Sequence, residues 1–194
     1  MKASRLWAVL ALSPALLLIS PLRHAVESQM SLHMLVEFPL LLAAGWAWGR
    51  WLPAKVLSAL DAQGLLGATL ASCVLAFWMI PAALDLALLS APVAAAKYCS
   101  WLLAGALLAW GRQRLGAVLA CFFLGNTAWM TATAGLLYRE ADRQLCVNYL
   151  VDDQLITGNG LVVTALVLGA QALLRLRPLF LPGNALDRDE TGAG

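Results

Sequence analysis

Leu155-Ile-Thr-Gly-Asn-Gly-Leu-Val-Val-Thr-Ala-Leu-Val-Leu-Gly-Ala-Gln-Ala-Leu-Leu174 is a run of twenty residues without one charged side chain. At 1.5 Å rise per residue, an α-helix of that length covers about 30 Å, the thickness of the hydrocarbon core of a bilayer. Five earlier windows of similar character lie near residues 6–22, 32–48, 63–84, 94–110 and 115–137. Of the 194 residues, 61% are hydrophobic and 12% charged, against about 45–50% and 25% in an average soluble domain. A soluble core of this size has no place for so much apolar surface. The expected fold is therefore all-α, a polytopic transmembrane helical bundle of about six helices.

The first window has a second possible origin, because Lys2 and Arg5 precede its apolar run as in a signal peptide. Pro14 and Pro21 interrupt it and no A-x-A cleavage site follows, so it is read as a helix. Basic residues of short loops tend to stay in the cytoplasm. With the N-terminus inside, the inner segments hold Lys2, Arg5, Arg50, Lys55, Arg112, Arg114, Arg175, Arg177 and Arg188, nine of thirteen. The outer side keeps Arg23, Lys97, Arg139 and Arg143, and takes Glu27, Glu37, Asp85, Glu140, Asp142, Asp152 and Asp153, seven of the eleven acids. Both termini are expected in the cytoplasm, with residues 1–177 forming the bundle and residues 178–194, polar and rich in Gly and Asp, a flexible tail. The net charge of +2, spread thinly, gives no nucleic-acid surface.

Among the cysteines, Cys73 and Cys121 fall mid-span, where a thiol packs as a small apolar group. Cys99 and Cys146 lie near the outer face and would form a disulfide only if their Cα atoms came within about 7 Å. Thr157-Gly158-Asn159-Gly160 reads as small residues for close helix packing. No Ser-His-Asp set, HExxH or nucleotide-binding glycine loop is present, so an enzyme is not expected.

Polar chemistry collects in His24-Ala-Val-Glu-Ser-Gln-Met-Ser-Leu-His-Met-Leu-Val-Glu37. In a helix beginning near Ser28, Met30, His33, Met34 and Glu37 share one face. Thioether and imidazole together suit copper, whereas Mg²⁺ or Ca²⁺ would need more oxygen. The same spacing also serves two packed methionines and a hydrogen-bonded interfacial histidine. A carboxylate at Glu37, about a turn inside the span, must face a partner, a cavity or an ion. Asp85 and the pair Asp152 and Asp153 reach the same level from other helices, and either of the pair is also a suitable helix cap.

Three segments resemble the CtaG family, the membrane copper-handling assembly factors of caa3-type cytochrome c oxidase. Gln29-Met30-Ser31-Leu32-His33-Met34, with Pro39-Leu40-Leu41 and Gly45 after it, is similar to the family's H-M-x-x-H-M helix. Trp78, Pro81, Asp85, Ala87 and Leu88, then Gly105 and Trp110, resemble its W-x-x-P segment and the next helix. Asp153-Gln154 with Gly158 resembles its D-Q-x-x-G motif. Gln29 stands at the first histidine of the pattern, and Val93-Ala-Ala-Ala-Lys97 replaces a pair of histidines spaced four apart.

The resemblance implies a shorter, diverged family member in a bacterial inner membrane that assists assembly of a copper-containing oxidase, with copper held at the periplasmic face. Its metal residues would be His33, Met30, Met34, Glu37 and Asp153, supported by Asp85, Asp152 and His24. Its partners would be the bilayer and an oxidase subunit or copper chaperone. Two other readings remain open: a non-catalytic structural subunit of a respiratory complex, and a b-haem protein using His24 and His33 as axial ligands.

Overall fold

The computed structural model describes residues 2–17, 19–51, 63–141, 145–146 and 149–180. Every regular element among them is helical: α1 Lys2–Leu17, α2 Ser20–Glu27, α3 Met30–Gly49, α4 Leu65–Trp78, α5 Pro81–Leu89, α6 Ala91–Gly111, α7 Ala117–Glu140 and α8 Val151–Phe180. Four of these, α3, α6, α7 and α8, are long and apolar enough to cross a membrane alone. The pairs α1 with α2 and α4 with α5 qualify only together. Four to six spans make this a multi-pass membrane protein. Lys55, Asp142, Arg143, Arg188 and residues 181–194 of the expected tail lie outside the described residues, and α8 continues past the expected boundary to Phe180.

The first and third expected spans are not straight. Chain direction turns by 89° between α1 and α2 and by 80° between α4 and α5. Pro21 and Pro81 sit in the first turn of the helix after each break, where a missing N–H costs nothing, and the residues before those helices, Ile19 and Ile80, are extended. A break strands carbonyls. At the α4–α5 corner the hydroxyl of the fully buried Tyr138 donates to the Met79 carbonyl at 3.1 Å, satisfying it from α7.

Helix α3 contains a wider π-type turn over His33–Glu37. Pro39 follows it, and a proline inside a regular α-helix loses one ladder bond and presses on the carbonyl four residues back, which is Leu35 within this turn. Widening the turn accommodates that ring. Met30, His33, Met34 and Glu37 all come out buried.

Helices α3 and α6 run side by side with almost no gap. A Cβ on Gly45 would lie 2.2 Å from the Leu102 carbonyl oxygen, and one on Gly105 would lie 2.2 Å from that of Leu42. Only glycine permits this approach, the small-residue contact by which membrane helices associate. Gly135 and Gly158 bring α7 and α8 together in the same way, each Cβ position 2.8 Å from the other's carbonyl. Outward faces are apolar: Phe122 and Trp129 on α7, and Val163, Leu166 and Leu173 on α8, are mostly exposed, as lipid contact requires.

Candidate functional site

Helix α3 carries one charged residue, Glu37, and α6 carries one, Lys97. Each lies eight residues before the glycine at the α3–α6 contact, Gly45 or Gly105, about 12 Å along either helix. The shared crossing therefore puts the two charges at one depth. Lys97 Nζ lies 2.8 Å from Glu37 Oε1. It donates to Glu27 Oε1 from α2 at 2.8 Å and stands 3.0 Å from His33 Nε2. Lys97, His33 and Glu37 have no solvent exposure.

An ammonium has only protons to offer. Nε2 of His33 therefore presents its lone pair, and Nδ1 bears the ring proton, which it donates to the Tyr149 hydroxyl oxygen at 2.6 Å. This assignment follows from the partners. Burial holds Tyr149 well above the ordinary range for a phenol, so it stays protonated. The edge of Phe38 packs against the imidazole, and Phe38 stacks on Trp101. Glu37 has a second oxygen 3.5 Å from His33 Nε2, and neither of its oxygens makes a well-directed hydrogen bond. Charge pairing holds it. Glu27 is shared, since Arg23 Nε donates to its other oxygen at 2.9 Å from a partly exposed position. Two cations and two carboxylates with a neutral imidazole sum to zero, the condition for keeping charge out of water.

The expected site residues divide into three groups. His33 and Glu37 belong to the cluster, and Met30 and Met34 are buried on the same stretch. Asp153 does something else: its carboxylate accepts the backbone N–H groups of Met30 and, at 3.3 Å, Ser31. It caps the start of α3 from α8, a helix start that has no cap of its own. The last group makes no bond to Lys97. Asp85 is half-buried on α5, where its charge helps to raise the Cys146 thiol, while Asp152 and His24 are exposed. The cysteines are free thiols, Cys99 exposed and Cys146 buried. Burial, with Asp85, pushes the Cys146 thiol up to about 12.

Glu27, Lys97, Arg23 and Tyr149 escaped the sequence reading as site residues. The signal for Lys97 was present: it is the single charge in a 21-residue apolar helix, and such a lysine requires a buried carboxylate. Tyr149 lies between α7 and α8 in a segment without helical periodicity, and no pattern marked it.

Ligand atoms of Glu27, His33 and Glu37 lie within 4.8 Å of one another, the spread of a three-ligand metal site. The Lys97 ammonium stands 2.8, 2.8 and 3.0 Å from these three side chains, in the place an ion would take. Two carboxylates and an imidazole also form a harder donor set than Cu(I) prefers. With Lys97 charged, these residues do not fit a resident copper ion. No family model, curated protein or solved structure matches the chain.

Proposed function

We propose that this chain is a membrane assembly factor for a copper-containing cytochrome c oxidase, and that it works through its buried ionic centre without a resident metal ion. One observation carries the reading. The three separated segments that resemble CtaG proteins meet around that centre. Asp153 of the third binds the first amides of the helix that holds His33. Trp78 of the second donates its indole N–H to Ser100 at 2.9 Å, and Ser100 donates to the Lys97 carbonyl. Gln154 donates to the Tyr138 carbonyl, and Tyr138 ties down the Trp78–Pro81 corner. Residues scattered over some 125 positions thus build one unit. The basic end of the bundle, with Arg50, Arg112, Arg114 and Arg175, is then cytoplasmic, and the ionic centre lies near the periplasmic face. Copper would reach the oxidase from a partner chaperone.

A second reading draws on Lys97. A centre whose cation is part of the chain is also what a purely structural subunit of a respiratory complex would use to lock its helices. The haem reading has no such support, because both ring nitrogens of His33 are engaged and His24 is exposed on another helix. Complementation separates the first two. Deleting the gene should lower copper-oxidase activity, and His33→Ala should restore it poorly, most visibly when copper is scarce. An oxidase indifferent to deletion sinks the assembly reading. Full rescue by His33→Ala, with stoichiometric co-purification, favours the structural subunit.

A further inference from the structure

At the basic end the bundle is not filled. A cavity of about 380 Å³ opens between α3, α4, α6, α7 and α8. Its walls are mostly apolar, with Ser72 and Thr127 as polar exceptions besides the arginines, and several are short, with Ala68, Ala71 and Ala120 leaving the space that larger residues would occupy. It runs from Trp101, mid-way along α6, to Arg112 just past its end. Those eleven residues amount to about 16 Å of helix, close to one leaflet of a core roughly 30 Å thick.

Two arginines stand at the mouth, Arg112 following α6 and Arg175 on α8. Both are exposed, and among the described residues neither pairs with a carboxylate. The Arg112 guanidinium lies 5.9 Å from the centre of the Trp46 ring, which also lines the cavity. An apolar space open to a bilayer does not retain water, which needs several polar partners. A guanidinium pair at the headgroup level binds phosphate by forked, charge-assisted hydrogen bonds.

We propose that this cavity is a binding site for one anionic phospholipid, with an acyl chain between the helices and its phosphate held by Arg112 and Arg175. The occupant is lipid because length, apolarity and position match a single leaflet, and anionic because neither cation has a carboxylate partner among the described residues. The site is independent of the oxidase reading, since it shares none of the charged residues of the ionic centre.

The experiment uses the full chain in mild detergent or nanodiscs, with phosphatidylglycerol and phosphatidylcholine of equal chain length competing for retention, read by native mass spectrometry. Basic residues near a membrane surface favour anionic lipid by about five-fold each, so two should give roughly 30-fold preference for phosphatidylglycerol. Arg112→Gln with Arg175→Gln should abolish the preference. Ala71→Leu, which fills the space, should reduce retention of both lipids while the protein stays folded. Arg177→Gln, two residues further along α8 and outside the cavity lining, should change little. Equal retention of the two lipids by the unaltered protein overturns the proposal. So does an equal loss from Arg177→Gln, which marks diffuse attraction, or full displacement by glycerol phosphate, which marks a headgroup anion without a seated chain.

Discussion

Lys97 and Arg112 sit on and just beyond the same helix, fifteen residues apart, and meet opposite surroundings. Around Lys97 the space is filled: Glu27, Glu37 and His33 surround the ammonium, and nothing is exposed. Around Arg112 the cation is exposed, it has no described carboxylate partner, and a cavity opens on one side although α3 and α6 stay in contact at Gly49. The glycine contact between α3 and α6 runs from Gly105 on to Gly49, so the difference lies in what faces each cation and not in how closely these two helices approach. A cation within the hydrocarbon must be neutralised by the protein itself, whereas one at the boundary can rely on water and lipid headgroups.

The sharpest way to break this comparison is to remove the buried cation. Lys97→Met leaves Glu37 without its cation, while Glu27 keeps Arg23, and breaking a buried pair from one side costs about 3–5 kcal/mol. Denaturant unfolding in detergent should show a loss of that order. Adding Glu37→Gln should recover part of it, because one orphaned charge disappears. A neutral effect of Lys97→Met would mean that the cluster is hydrated and the two ends differ less than their burial implies.

An intermediate effect is expected at Cys146, close to the ionic end. Its thiol is held at about 12, above an ordinary value of 9.0. Between those values the unfolded chain releases the proton and the folded chain keeps it, so stability must fall as pH rises from about 9 to 12, by about 1.4 kcal/mol per pH unit. Cys146→Ala should flatten the alkaline limb of the stability curve relative to the unaltered protein. At pH 8, alkylation by a water-soluble reagent should mark Cys146 slowly, because its thiol is buried. Superimposable alkaline limbs would show that Cys146 titrates normally.

The smallest effect belongs to Arg112→Gln. An exposed cation without a carboxylate partner among the described residues contributes within about 0.5 kcal/mol, so unfolding in a zwitterionic detergent should barely change. A loss approaching that of Lys97→Met would reveal a partner beyond the described residues.

How much of this was legible depends on which residues carried the information. The long apolar windows gave α3, α6, α7 and α8 closely, because span length is dictated by the bilayer. The corners before Pro21 and Pro81 were not foreseen: averaging over a window retains apolarity and discards direction, and a proline in a span can kink it or begin a new helix. His33 and Glu37 emerged from helical spacing. Counting basic residues puts Lys97 on a membrane side but carries no depth, so its pairing with the lone acid of α3 is not legible in that count. In the sequence Asp153 reads as a metal residue or as a cap of its own helix, yet the helix it caps begins 123 positions earlier, a relation that local sequence cannot express.

The Lys97–Glu37 pair also sets an order of events at birth. Glu37 leaves the ribosome sixty residues ahead of Lys97, and at about 5–20 residues per second the interval is roughly 3–12 s. Throughout it, α3 carries a carboxylate without the ammonium that pairs with it in the folded chain. The nascent helix must wait at the headgroup boundary or within the insertion machinery, and the arrival of α6 releases it. Insertion of the first half of the chain is thereby made conditional on synthesis of the second.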